Sequence, residues 1–287
     1  MRTDIRNTIV LLRLPFSVFL LPITLFSLYF IQPELTVELI LVLFIWHFLV
    51  FPSSNAYNSF NDRDTGPIGA LEAPPPPSKL LLHTANAMDA MAIILSMLVN
   101  YYFAALVVLF IVVSRLYSYR NIRLKKYPIL AFIIVCICQG SGVFCANVLG
   151  LASIDLLIQP SVIYAAIACF LFIGTLYPIT QIYQHEADSQ DGVKTISYVL
   201  GKKGTFVFSG IFFLLATFFI YLSFQGYHTI GNFWLFNLIM LPVTIYFITW
   251  AIRSFKNAAQ VNFKNTMLML ILSATFNNIF FLILLIK

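Results

Sequence analysis

Residues 160–183, Pro-Ser-Val-Ile-Tyr-Ala-Ala-Ile-Ala-Cys-Phe-Leu-Phe-Ile-Gly-Thr-Leu-Tyr-Pro-Ile-Thr-Gln-Ile-Tyr, contain no charged side chain. A helix of that length reaches roughly 36 Å, enough for the roughly 30 Å hydrocarbon core of a bilayer. The same pattern recurs along the chain. Apolar runs of spanning length fall at 8–30, 36–57, 84–100, 101–119, 128–149, 160–183, 205–224, 229–252 and 266–286. The third and fourth meet at Asn100, so the count is eight or nine, with nine the expectation. A lipid-facing backbone must satisfy its own hydrogen bonds, and continuous apolar runs do so only as helices. The expected fold is all-α: a polytopic membrane bundle of nine transmembrane helices, with residues 1–287 as a single domain.

Composition leads to the same class. Of 287 residues, 60% are hydrophobic and 10% charged, against about 45–50% and 25% in soluble domains. With a mean hydropathy of +0.90, a soluble globule is excluded and the lipid bilayer is the expected partner. The net charge of +6 reads as topology rather than as nucleic-acid binding. Nine spans put sixteen of the 17 Lys and Arg on one side and only Lys287 on the other. Short cytoplasmic loops retain such residues. The expected location is an integral protein of the bacterial inner membrane, with a retained N-terminus and the long loops in the cytoplasm. Cys136, Cys138, Cys145 and Cys169 lack metal or redox spacing and read as packing residues.

Six of the 11 carboxylates fall in the two longest connections: Asp62, Asp64 and Glu72 after the second span, Glu186, Asp188 and Asp191 after the sixth. Asp4, Glu34, Glu38, Asp89 and Asp155 read as solvated helix ends. Glu72-Ala-Pro-Pro-Pro-Pro-Ser78 cannot be helical and reads as a rigid spacer.

Two polar motifs stand out. Asn55, Asn58 and Asp62 share a helical face at spacing i, i+3, i+7. Gln181, Gln184 and Asp188 repeat it, with Gly66 and Gly192 following, all at an offset of 126 residues. Two amide–carboxylate stripes facing each other would line a pocket with hard oxygens. Such oxygens suit Mg²⁺, which usually takes one or two carboxylates plus substrate phosphates. The basic segment Tyr117-Ser118-Tyr119-Arg120-Asn121-Ile122-Arg123-Leu124-Lys125-Lys126 can meet those phosphates.

Asn58-x₃-Asp62-Arg63, Glu186-x-Asp188-x₃-Gly192-x₂-Thr195 and the Tyr117-Ser118…Arg123-x-Lys125 segment together resemble the UbiA superfamily of intramembrane prenyltransferases. The resemblance implies transfer of an isoprenyl group from an isoprenyl diphosphate to a lipophilic, usually aromatic, acceptor, with Mg²⁺ as cofactor. It implies metal ligation by Asn58, Asp62, Asp64, Gln184, Glu186 and Asp188, of which Asp62 and Asp188 are the expected catalytic residues. Arg63, Arg123, Lys125, Lys126 and Lys194 are the expected diphosphate contacts, with Asn55, Gln181 and Tyr117 completing the site. Three positions depart from the pattern. An expected Asp falls on Gly66, with Asp64 displaced by two, and two more fall on Gln181 and Gln184. Amides keep oxygen ligands but remove about two negative charges, weakening divalent-ion affinity. Glu186 lies about 140° off the stripe, so the helix is expected to end or bend before it.

An allylic diphosphate leaves behind a carbocation, which aromatic faces stabilise by roughly 0.5–2 kcal/mol each. With 29 Phe and 14 Tyr, no single ring is singled out, and His185 reads as solvated. Two other readings stand beside the transferase. One is a terpene cyclase of the same superfamily; the other is a transporter, whose binding site would sit near the bilayer midplane.

Overall fold

The computed structural model describes residues 2–287. Among them no strand forms; the sole β-bridge pairs Ile68 with Leu71. The helices are α1 (Arg2–Leu11), α2 (Leu21–Ile31), α3 (Val37–Asp62), α4 (Lys79–Val99), α5 (Tyr101–Ser118), α6 (Pro128–Leu151), α7 (Pro160–Gln181), α8 (His185–Gln190), α9 (Ile196–Gly226), α10 (Ile230–Lys256) and α11 (Phe263–Ile286). Eight are long and apolar enough to cross a membrane, and a bent pair makes the count nine. Ile94, Leu98, Leu214, Trp234 and Leu238 point outward from these helices, as lipid-facing side chains do.

The bent pair corrects the expectation of a continuous helix over 8–30. Residues 2–19 and α2 meet at 45°, because Arg13 takes a left-handed backbone (φ 48°) and Pro15 starts a 3₁₀ turn over Leu14–Phe19. A proline at that point removes a helical donor. The second break is at Asn100. Its side chain caps α5 by accepting from Phe103 N–H (2.9 Å) and donates to the carbonyls of Leu149 and Gly150 at the end of α6 (2.9 and 3.0 Å). One amide thereby satisfies two helix ends.

Close packing brings α6 and α7 together. At Gly140, a Cβ would stand 2.6 Å from the carbonyl oxygen of Cys169, so only glycine permits this approach. Inside the bundle, Trp46 Nε1 donates to Asn147 Oδ1 (2.9 Å), and Asn147 Nδ2 donates to Ser27 (3.0 Å), linking α3, α6 and α2. The four cysteines are unbonded and packed.

Asp89 also departs from its expected place at a solvated helix end. It is 7% exposed in the middle of α4. Ser53 of α3 donates to it and Arg115 of α5 pairs with it, the Arg115 Nε donating over 2.8 Å. The Arg115 guanidinium lies 3.9 Å above the Tyr57 ring. Arg115, one of the sixteen cations counted on one side of the membrane, is therefore a structural charge joining three helices.

Candidate active site

The polar ends of α3, α5 and α7 converge on a cavity of about 270 Å³. On α3, helical periodicity holds through Asp62, so Asn55, Asn58 and Asp62 all line it, as does Asp64 beyond the helix. Arg63 takes the left-handed capping position (φ 56°). On the opposite side α7 ends at Gln181, and α8 begins at His185 after a turn closed by Gln184 N–H on Gln181 O (2.9 Å). The expected break before Glu186 is thus present, whereas the expected continuous stripe is not. Gln181, Gln184 and Asp188 nevertheless reach the same cavity, because the chain turns around it.

Cations meet the first motif directly. Lys125 Nζ lies 2.5 Å from Asp62 Oδ2, and Arg123 approaches Asp62 Oδ1 at 3.6 Å. The side chains are 13%, 12% and 5% exposed for Lys125, Arg123 and Asp62. Little solvent remains to screen their charges. Asn58 Nδ2 donates to Asp62 Oδ2 (2.8 Å) and to Ser118 Oγ (3.1 Å), fixing α3 to the end of α5. Arg123 also binds the side chain and the carbonyl of Asp191. The backbone places it: Arg123 has φ 51° and its N–H closes a turn on Tyr119 O (2.6 Å).

The second motif is less neutralised. Burial pushes the Asp188 carboxyl up to about 7, with Asp64, Asp62 and Asp191 adding to the shift and Lys125 opposing it. Asp64 is raised as well, first by burial and then by Asp62. Asp188 Oδ2, Gln181 Oε1 and Asp62 Oδ1 are buried without a hydrogen bond. Gln184 Nε2 donates to Pro67 O (2.8 Å), which leaves its oxygen as acceptor. Crowded carboxylates and orphaned acceptors fit a hard cation. Among the described residues no three His, Cys, Asp or Glu side chains form a self-sufficient metal cage. A Mg²⁺ here would complete its shell with waters and substrate oxygens.

Several expected residues stand elsewhere. Glu186, Arg63, Lys126 and Lys194 are exposed and outside the cavity wall, and Arg123, although it pairs with Asp62, stands behind that wall rather than in it. Glu186 is turned out by the short helix α8, Arg63 by its capping backbone, and Lys126 lies over the Tyr127 ring at 5.1 Å. Tyr117 does line the cavity, and its hydroxyl meets that of Tyr177 at 2.6 Å. His185 contacts Ser197 (2.8 Å) rather than the cavity.

Sequence reading missed Arg13. It is 8% exposed, lines the cavity, and donates to the carbonyls of Gly69 (3.3 Å) and Asn55 (3.2 Å). Its signal was a charge inside an apolar run, where ionisable residues are costly and functional by default. Phe16, Phe19, Phe110 and Tyr177 also face the cavity. Phe19, Ile173, Leu176 and Leu270 form walls shared with a narrower apolar chamber of about 70 Å³.

Comparison with known proteins follows the same architecture. The profile of the UbiA prenyltransferase family matches residues 20–274. A comparison with curated proteins finds no match. Among solved structures, a UbiA homologue from Aeropyrum pernix K1 in its apo form is similar at TM-score 0.70 and 16% identity, covering 94% of this chain and 98% of that one. A UbiA homologue from Archaeoglobus fulgidus bound to GPP and Mg²⁺ is similar at TM-score 0.63 and 16% identity, with 98% and 100% covered. A digeranylgeranylglyceryl phosphate synthase gives TM-score 0.63 and 19% identity, with 99% and 98% covered.

Proposed function

From the premise that the chain belongs to the UbiA prenyltransferase family, we propose that it transfers an isoprenyl group from an allylic diphosphate to an aromatic or lipophilic acceptor inside the membrane. The observation that carries this reading is the pairing of buried Asp62 with Lys125 and Arg123 at the mouth of a cavity whose deeper walls are aromatic and aliphatic. Charge binds at one end and hydrocarbon at the other. The binding of GPP or DMAPP with Mg²⁺ by the Archaeoglobus fulgidus homologue supports the same substrate class.

Lys125, Arg123 and Arg13 receive the diphosphate oxygens, and Asp62 and Asn58 hold Lys125 in place. Mg²⁺ would take its protein ligands from the carboxylates of Asp62, Asp64 and Asp188 and the amide oxygens of Asn58, Gln181 and Gln184. When bound, it neutralises charge developing on the leaving diphosphate. The allylic C–O bond breaks with its electron pair going to the diphosphate, and the preorganised cations lower the cost of that charge. The remaining carbocation lies among Phe16, Phe19, Phe110, Tyr117 and Tyr177, which exclude water and present π-faces. The acceptor supplies the electron pair for the new bond, and the proton it loses passes to the departing diphosphate. The substrate's hydrocarbon tail continues toward the apolar chamber behind Phe19 and Leu270.

Placement of the polar side chains at one end of the bundle argues against the transporter reading, which requires a midplane site. Transfer and cyclisation separate by experiment. Purified protein with Mg²⁺ and allylic diphosphates is expected to release pyrophosphate only when an aromatic or quinone-precursor acceptor is added, with a prenylated product by mass spectrometry. A cyclic hydrocarbon formed without acceptor would overturn transfer in favour of the cyclase.

A further inference from the structure

The cavity wall carries one polar side chain that the diphosphate end does not use. Gln139 lines the cavity from α6, eleven residues beyond Pro128 and so roughly 16 Å along the helix. It lies in the π-helical turn Cys136–Gly142, a local form that gathers at functional sites. The next residue, Gly140, meets the backbone of Cys169 with no side chain between them, which fixes the height of Gln139 against α7. Its companions from α6 on this wall are Ile134, Val135 and Cys138. The hydroxyls around the cavity are already engaged: Ser54 with Ser114 (2.6 Å), Tyr117 with Tyr177 (2.6 Å), Ser118 with Asn58 (3.1 Å), Thr180 with the Tyr177 carbonyl (2.7 Å) and Thr195 with Tyr198 N–H (3.3 Å). Outside the two polar motifs, Gln139 is the one hydroxyl- or amide-bearing wall residue, among those described, with no hydrogen bond. An unpaired amide within an apolar span is costly and marks a functional site.

Resting on the transferase reading above, we propose that Gln139 recognises the acceptor, and that the acceptor is an uncharged ring compound bearing a hydroxyl or carbonyl oxygen, such as a phenol or quinol, rather than an aromatic carboxylate. The amide both donates and accepts. Its Oε1 takes the proton of a ring hydroxyl and its Nε2 donates to a ring oxygen, a match that no hydrocarbon tail provides. Charge decides against a carboxylate. The charged residues of the wall are Arg13, Asp62, Asp64, Lys125 and Asp188. Both cations among them are held at the diphosphate end, Lys125 on Asp62 (2.5 Å) and Arg13 on the carbonyls of Asn55 and Gly69 (3.2 and 3.3 Å). No cation of the wall is left to neutralise an acceptor carboxylate at the height of Gln139, and an unpaired carboxylate there would lose its hydration without compensation.

A matched pair of acceptors tests this on the full chain in detergent: methyl 4-hydroxyphenylacetate and the free acid, which differ by one charge at neutral pH. With Mg²⁺ and geranyl diphosphate, the ester is expected to be prenylated with a kcat/KM at least about tenfold above that of the acid. Gln139→Leu, which puts an apolar side chain into an apolar span, is expected to keep the thermal midpoint of the parent. It is expected to raise KM for the ester by about tenfold or more while KM for geranyl diphosphate stays within about twofold. Isothermal titration of the ester, with Mg²⁺ and inorganic pyrophosphate present, reads the same contact without turnover and is expected to show binding about tenfold weaker in Gln139→Leu. An ester KM unchanged by Gln139→Leu, an acid used as well as the ester, or no binding of the ester to the parent would each overturn the proposal. Titration also separates the two readings. Ester binding that depends on Gln139 in a protein that prenylates neither compound would sink the transferase and keep the site. Prenylation of the ester at equal KM in parent and Gln139→Leu would do the reverse.

Discussion

Asp62→Asn is expected to lower the rate of pyrophosphate release by about 100- to 1,000-fold, or roughly 3–4 kcal/mol of transition-state stabilisation. The side chain is 5% exposed and pairs with Lys125 and Arg123, the two cations proposed to receive the diphosphate. An amide of the same shape keeps the packing but loses the charge that aims Lys125 and Arg123. The loss therefore falls mainly on kcat, with a smaller change in KM; some stability is lost too, because Lys125 and Arg123 keep their burial without the carboxylate, so the rate is compared at a temperature where the variant is fully folded. Asp62→Glu, which restores the charge, is expected to recover part of the rate. Steady-state kinetics alongside a melting curve check the point; a rate within about threefold of the parent would remove Asp62 from the mechanism.

The second large effect concerns stability. Asp89→Ala is expected to destabilise the bundle by about 2–4 kcal/mol, because it leaves the largely buried Arg115 side chain, 19% exposed, without its carboxylate. Ser53 and Tyr57 of α3 join the same cluster, so the loss loosens the helix that carries the first polar motif. Removing both charges is predicted to hurt less. Asp89→Ala with Arg115→Met is expected to regain most of the loss, since an apolar pair of similar volume leaves no unpaired charge. Thermal unfolding in detergent, followed by tryptophan fluorescence, distinguishes the cases. A double variant as unstable as Asp89→Ala would show that packing around the pair, not its charge, holds the three helices.

How far the sequence carried can be judged element by element. The spans were legible because a lipid-facing run must be apolar throughout, and length alone then sets the helix. The stripe Asn55, Asn58, Asp62 was legible because α3 continues unbroken to Asp62. The second stripe was legible as a set of residues but not as a geometry. The turn between Gln181 and His185 contains neither glycine nor proline; only the off-stripe position of Glu186 marked a break there, without giving the path of the chain after it. Glu186, already off the stripe by sequence, points to solvent on the short helix α8. The break at Arg13 and Pro15 did carry a signal, a charge and a proline inside an apolar run. The aromatic wall carried none: lipid-facing and cavity-facing phenylalanines look alike when 29 are present. Asp89 was misplaced because a single charge near a span end reads as solvated until its pairing with Arg115 is seen.

The central claim is that the cavity ionises an allylic diphosphate. The most direct measurement compares pyrophosphate release from geranyl diphosphate with release from its 2,3-dihydro analogue, under identical Mg²⁺ and acceptor. The analogue keeps the charged head and the tail but cannot form a delocalised cation. Release from the allylic substrate and none above background from the analogue is the predicted result. Equal release from both would show simple diphosphate hydrolysis and contradict the account.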